Sequence, residues 1–183
     1  MAVAAGEYEI GQHTGRLLVR TFRQGVAARV GHDLLIEATV WEGHITVPPD
    51  SAVQPALSVR VDLGALKVLE GTGGVKPLSD GDKQQIQQTM HKLLKVDRQR
   101  EATFTSTRAE VHDDSAIVEG ELTLVGQTRP LRLEVRQRDD VTVAGTASLV
   151  QSQWGIKPYS GFFGALKLRD AVDIEFTVAL PRG

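Results

Sequence analysis

Apolar and polar residues alternate with period two along most of this chain. Leu57, Val59, Val61 and Leu63 share one side of an extended segment, with Ser58, Arg60 and Asp62 on the other. Val118, Gly120, Leu122 and Leu124 oppose Glu119, Glu121 and Thr123 in the same way. Leu131, Leu133 and Val135 oppose Arg132, Glu134 and Arg136, while Val141, Val143, Gly145, Ala147 and Leu149 oppose Thr142, Ala144, Thr146 and Ser148. Near the C-terminus, Val172, Ile174, Phe176, Val178 and Leu180 oppose Asp173, Glu175 and Thr177. Successive strand side chains point to opposite faces, so each run reads as a strand with one dry face and one wet face. Parallel strands buried on both sides would read as unbroken apolar runs instead. Three further strands are predicted over 16–23, 34–47 (with an interruption near Gly43) and 101–111, making eight in all. The turns between them are rich in Gly, Asp and Pro.

One segment departs from this rhythm. Between Ser79 and Lys95 the apolar residues Ile86, Met90, Leu93 and Leu94 recur at helical spacing, which predicts one amphipathic helix over about 79–95. Ser79 followed three residues later by Asp82 is a cap for its first amides. The apolar stripe has to cover something, and the open end or side of a sheet is the natural place. The expected fold is therefore all-β, in a single domain over residues 1–183. Alternation alone leaves sandwich and barrel open. An eight-stranded antiparallel β-barrel is just wide enough to be filled by side chains or to hold one small ligand. Small inward residues (Gly120, Gly145, Ala147, Ser106) and only nine aromatics (five Phe, two Trp, two Tyr) favour a barrel with internal volume.

The run VEGELTLVGQTRPLRLEV, Val118 to Val135, resembles the G-D-L-T-I-x-G-x-T-K/R-P-V-x-L-x-V segment of the YceI-like, polyisoprenoid-binding family. YEIGQHTGRLLVRT (Tyr8 to Thr21) resembles that family's opening strand, and EATFTSTRAEV (Glu101 to Val111) the strand after its helix. Ser148 to Leu180 resembles its closing loop and last strand. The likeness runs from about Tyr8 to Leu180, in the expected order. It implies a lipocalin-like barrel of eight antiparallel strands, with one helix between strands, around a long lipid chain. It also implies a polyisoprenoid or isoprenoid quinone-like ligand, and homodimers, which several members form. Two places depart from the family pattern. Gly31-His32-Asp33-Leu34 stands where members usually show G-x-F, and the loop from Glu70 to Pro77 is glycine-rich.

Composition narrows the function further. Lys and Arg total 21 against 23 for Asp and Glu, a net charge of -2, so the chain as a whole offers no basic field for nucleic acid or an anionic membrane. There is no cysteine for a disulfide or a thiolate metal site. Met1 to Gly6 has neither a basic start nor a hydrophobic core segment, and no run of about 18 apolar residues occurs. The expectation is a cytoplasmic protein without a membrane span.

The ligand-binding candidates are the inward apolar residues Leu17, Val19, Val59, Val61, Phe104, Leu122, Leu124, Leu133, Val135, Val143, Leu149, Ile174 and Phe176. As residues alone they read first as an ordinary filled core; the family likeness turns them toward a tunnel. Trp154 to Gly164 concentrates four aromatics among three glycines, the make-up of a flap over a barrel mouth. Trp154, Tyr159, Phe162 and Phe163 are its candidate ligand contacts; a plug or a dimer contact is the competing reading. Among the histidines (13, 32, 44, 91, 112) none pairs at i, i+4, and no metal or catalytic signature is present. No cofactor, metal or catalytic residue is implied. Two other readings stay open: a structural or stress-related dimeric module with a packed interior, and, more weakly, an enzyme using a barrel histidine such as His32 beside Asp33.

Overall fold

The computed structural model describes residues 3–50 and 52–180. The alternating segments form one curled antiparallel sheet of lipocalin-like character. In chain order its strands are β1 (Gly6–Gly11), β2 (Gly15–Thr21), β4 (Asp33–Ala38), β5 (Trp41–Val47), β6 (Ala56–Asp62), β7 (Leu66–Thr72), β8 (Glu101–Val111), β9 (Ser115–Leu124), β10 (Gln127–Gln137), β11 (Thr142–Val150) and β14 (Ala171–Ala179). They neighbour one another in the order β1-β5-β6-β8-β9-β10-β11-β14-β2-β4-β7. A second, three-stranded sheet joins β3 (Arg23–Gln24), β12 (Ser160–Gly161) and β13 (Leu166–Leu168), with β13 in the middle.

The expected eight strands are thus replaced by eleven in the main sheet, for identifiable reasons. The predicted strand over 34–47 breaks at Thr39 and Val40 rather than near Gly43. Gly43 sits in regular register, between Ile10 and Val59. A Cβ there would stand 2.8 Å from the Ser58 carbonyl oxygen, so glycine is required by close packing and not by a bulge. The break is held open by hydrogen bonds of its own. The Thr39 amide and hydroxyl both donate to the Ala65 carbonyl, at 3.0 and 2.7 Å, and the Asp62 amide donates to Val40 at 3.0 Å. Ala65 belongs to a second corner, the 3-10 turn Leu63–Ala65, which Asp62 caps by accepting from the Gly64 amide at 2.8 Å. Arg100, 3.1 Å from the Asp62 carboxylate, braces that corner and holds the carboxyl below its usual range. Alternation marks neither β1, which only the family likeness over Tyr8 to Thr21 reaches, nor β7.

Helix α1 (Asp80–Leu93) forms where its periodicity placed it. The Ser79 hydroxyl accepts from the Asp82 amide at 3.1 Å, and Asp82 accepts in return from the Ser79 amide at 2.9 Å. Ile86, Met90 and Leu94 turn toward the core, yet no residue of the helix is fully buried. Its side-chain tie to the sheet is the Lys83 ammonium, which donates to the Leu69 carbonyl on β7 at 2.7 Å. No helix among the described residues is long and apolar enough to cross a membrane.

The small inward residues do not leave the volume expected of them. A Cβ on Gly120 would stand 2.5 Å from Phe104 Cζ and 2.4 Å from the Thr105 carbonyl oxygen; one on Gly145 would stand 2.2 Å from Phe176 Cζ and 2.6 Å from the Glu134 carbonyl oxygen. Each glycine is therefore roofed by an aromatic ring from a neighbouring strand, the pairing by which aromatics compensate strand glycines. The Ser106 hydroxyl is used by the sheet, accepting from the Leu57 amide at 2.8 Å.

On the outer face, His44 of β5 bridges two carboxylates of β1. It donates to Glu9 Oε1 at 2.7 Å and to Glu7. Glu9 and then Glu7 hold the imidazole above its ordinary value, while Thr46 and His44 hold Glu7 below the usual carboxylate range. The two shifts act in opposite directions. Stabilisation from charged His44 is complete below the ordinary imidazole value and is lost as pH rises through the raised one. That from ionised Glu7 is complete above the ordinary carboxylate value and is lost as pH falls through the lowered one.

Two outcomes follow. Gly145→Ala, which sets a methyl group against an immovable backbone oxygen, should cost about 1–3 kcal/mol in urea unfolding; an undiminished midpoint would show that Phe176 does not rest on it. In an NMR titration the His44 midpoint should lie above that of a free imidazole and fall in Glu9→Gln, so an unchanged midpoint would exclude the bridge.

Candidate functional site

The inside of the curled sheet is divided in two. One end holds a cavity of about 780 Å³; the other is packed solid. The boundary can be followed strand by strand. Val61 lines the cavity and Val59 does not; Ala102 does and Phe104 does not. Leu122 and Leu124 line it where Gly120 does not, and Leu149 does where Ala147 and Gly145 do not. On β14, Val172 and Ile174 line it and Phe176 is excluded. The boundary falls beside the rings of Phe104 and Phe176 over their glycines; these belong to the packed half beneath the cavity floor and do not themselves line it.

The walls above the floor are aliphatic: Leu17 and Val19 from β2, Leu34 and Ile36 from β4, and Ile86 and Met90 from α1 among others. Polar groups gather toward the loop-bearing end, where His32, Lys76, Asp82 and Gln151 join the lining. Most of these are already engaged. The His32 ring donates through Nε2 to the Lys76 carbonyl at 2.8 Å, Gln151 donates to the Arg169 carbonyl at 3.1 Å, and Asp82 closes the helix cap, its carboxyl held low by Ser79. Thr21 differs. It lines the cavity, is 8% exposed, and its hydroxyl has no hydrogen-bond partner among the described residues.

The predicted ligand contacts divide along the same boundary. Leu17, Val19, Val61, Leu122, Leu124, Leu149, Tyr159 and Ile174 line the cavity. Val59, Phe104, Leu133, Val135, Val143 and Phe176 lie outside it, in or against the packed core. Alternation gives the face of a strand, not the distance along it, so it could not separate these groups. The aromatic loop also divides. Trp154 is 1% exposed and donates from Nε1 to the Leu122 carbonyl at 2.9 Å, which makes it a buried anchor rather than a flap contact. Phe163 is fully exposed, with φ at 54°, and does not line the cavity. The Phe162 side chain lies outside what the structure describes. His32 and Asp33 do not come together: the Asp33 carboxylate accepts from the Arg23 amide at 2.7 Å while His32 faces Lys76.

Sequence reasoning missed the lining from β4, from the 75–78 loop and from α1 itself. The helix stripe was the available signal, since apolar residues that a helix must cover are as much lining as covering.

The profile of the YceI-like domain family matches residues 21–180. No curated protein matches the chain. Among solved structures it is similar to Burkholderia cenocepacia BcnA, at a TM-score of 0.69 and 13% identity, over 94% of this chain and 99% of that one. A polyisoprenoid binding domain from Saccharophagus degradans implicated in plant cell wall breakdown superposes with a TM-score of 0.55 at 11% identity, over 97% and 100% of the two chains. The Campylobacter jejuni YceI protein does so at 0.53 and 14%, over 80% and 85%. At these identities the likeness is one of fold.

The isolated hydroxyl supplies a test of the site. An unpaired buried donor costs about 1–3 kcal/mol, and an apolar group of the same shape removes that cost. Thr21→Val should therefore raise the stability of lipid-free protein by about 1 kcal/mol in chemical denaturation; a loss of similar size would show that the hydroxyl has a partner in solution.

Proposed function

This chain belongs to the YceI-like family, and on that premise we propose that it binds an apolar lipid, a polyisoprenoid or an isoprenoid-tailed quinone, within the hollow half of a lipocalin-like barrel. The barrel itself is part of the proposal. β1 with β2, β4 with β5, and β6 with β7 are close neighbours in sequence, separated only by the corners at 12–14, 39–40 and 63–65. Taken as three bent strands they reduce the eleven segments to eight. Pairing of β14 with β2, and of β6 with β8, then supports a closed ring.

The observation that carries the reading is the cavity. The cavity, about 780 Å³, opens toward the loops, and its aliphatic walls give water few hydrogen-bond partners. A hydrocarbon chain fits better, at about 0.8 kcal/mol for each CH₂ buried, and the volume falls within the usual range for small-ligand sites. The chemistry supports an orientation as well. The chain end would lie toward the packed half, among Val61, Ala102 and Ile174, and the polar end would face Thr21, His32 and Lys76 near the loops. The Saccharophagus degradans domain of the same fold, which is described as polyisoprenoid binding, supports the branched class of chain.

Holding rather than reacting is the role we propose. Its support is the placement of titratable groups: His32, Lys76 and Asp82 stand at the loop end, away from the aliphatic interior where a chain would lie.

Solvent extraction of the purified protein followed by mass spectrometry should yield a polyprenol or isoprenoid quinone. Lipid-free protein should take up an added polyprenol. Ala38→Phe combined with Ala102→Phe places two rings in the lining and should lower that uptake at least about tenfold, with the β-sheet circular dichroism retained. Protein that carries no lipid and takes up neither polyprenol nor quinone would refute the proposal.

A further inference from the structure

We propose that the loop-bearing end of the protein is a docking surface for an anionic lipid bilayer. Three segments make up this end: residues 25–32, 73–79 and 155–168. They are held as one body. The Ala27 amide donates to the Ala165 carbonyl at 3.0 Å, which ties the first segment to the third. The Arg23 guanidinium donates to the carbonyls of Gly31 and Thr72, at 2.8 and 3.2 Å, and His32 donates to Lys76, which together tie the first to the second. This clamp also accounts for the glycine-rich loop. A Cβ on Gly73 would stand 1.5 Å from Arg23 Nη1, and one on Gly74 would stand 2.4 Å from His32 Nε2.

The surface so assembled is apolar where it surrounds the cavity. Val30, Val75 and Tyr159 are exposed and line the cavity at once, so they form its rim. Val26, 95% exposed, and Phe163, fully exposed, are carried on the two segments joined through Ala165. Phe163 is displayed at some cost, because a bulky side chain rarely adopts a φ of 54°. Contiguous exposed apolar groups of this kind mark surfaces that are covered in use.

Charge identifies what covers them. The three segments contain no Asp or Glu, although the chain has 23, and they carry Arg29, Lys76, Lys157 and Lys167. All four cations are exposed, and none forms an ion pair among the described residues. Elsewhere arginines are matched to carboxylates, as in Arg16–Glu37, Arg20–Glu175 and Arg60–Glu42. Asp33 and Asp82, which border the segments, accept from the Arg23 and Ser79 amides; Ser79 and, to a smaller extent, Lys76 hold the Asp82 carboxyl low, without Lys76 forming an ion pair with it. A net charge of -2 thus conceals one end whose three loop segments carry cations only, with Asp33, Asp80 and Asp82 at their borders. Apolar side chains ringed by unpaired cations suit a bilayer with anionic headgroups, which draw the cations while the apolar groups enter the interface. The arrangement would set the cavity mouth against the source of its cargo. That last step rests on the lipid-binding reading; the docking surface does not.

The test uses the full chain and vesicles of phosphatidylcholine, alone or mixed equally with phosphatidylglycerol, in a flotation assay. Binding to the anionic vesicles should exceed binding to the neutral ones at least about tenfold and should fall steeply with added salt. Val26→Ser with Phe163→Ser, and separately Arg29→Glu with Lys167→Glu, should each reduce it about tenfold. Neither pair lines the cavity, so uptake of a polyprenol delivered without vesicles should be unchanged. Equal binding to both vesicle types, no binding at low salt, or variants that bind like the parent would overturn the proposal. So would a parent dimer, seen by analytical ultracentrifugation, that these variants render monomeric while vesicles are ignored, because the patch would then belong to a second copy. Docking without polyprenol uptake would sustain the surface and refute only the cargo.

Discussion

Two aromatic rings lying on two glycines determine where this molecule is solid and where it is hollow. Phe104 rests over Gly120 and Phe176 over Gly145, each so close that no Cβ fits beneath. Below them the side chains of β9, β10 and β11 meet in a continuous core. Above them the same strands continue in the same alternation, but their aliphatic side chains face open volume. The rings fix the depth of the cavity, and the corners at 39–40 and 63–65 shape the wall around it. Removing either ring would be a change of architecture, because the cavity floor rests on the packing of the lower half.

Much of the fold was legible in the sequence because its causes are local. Period-two patterning gave five strands, and Ser79 with Asp82 gave the start of the helix. The corners were less visible: Thr39, Val40 and Leu63 are ordinary strand formers, and only hydrogen bonds across the sheet show that the chain bends there. The candidate site was half legible. Alternation identified inward residues correctly in kind but could not say how far along each strand the packing stops, so Val61 and Val59, or Ile174 and Phe176, could not be told apart. Gly120 and Gly145 misled for a related reason. A glycine read alone suggests space, whereas here each marks where a distant ring has filled it. Trp154 and Phe163 both read as flap aromatics; one anchors the wall through Leu122 and the other projects into solvent.

The loop end shows the converse, a pattern fully written in the sequence that no linear reading assembles. Three acid-free stretches separated by dozens of residues acquire meaning only when Arg23, His32 and the Ala27–Ala165 hydrogen bond hold them in one surface. The glycines of the 71–74 loop, which set this chain apart from the family pattern, are the spaces into which those two side chains fit. The departure at Gly31-His32-Asp33 and the departure at the glycine-rich loop are therefore one structural feature and not two.

Helix α1 packs Ile86, Met90 and Leu94 against the core without burying any residue completely, and the same side chains line the cavity. If the cavity holds the lipid proposed, order in the helix and occupancy of the cavity would be linked: an occupant would lend the helix packing, and fraying of the helix would remove a wall from around the occupant. Residence time would then be governed less by the affinity of the walls than by how often some fourteen residues of amphipathic helix loosen, and the helix would act as the protein's own clock for release.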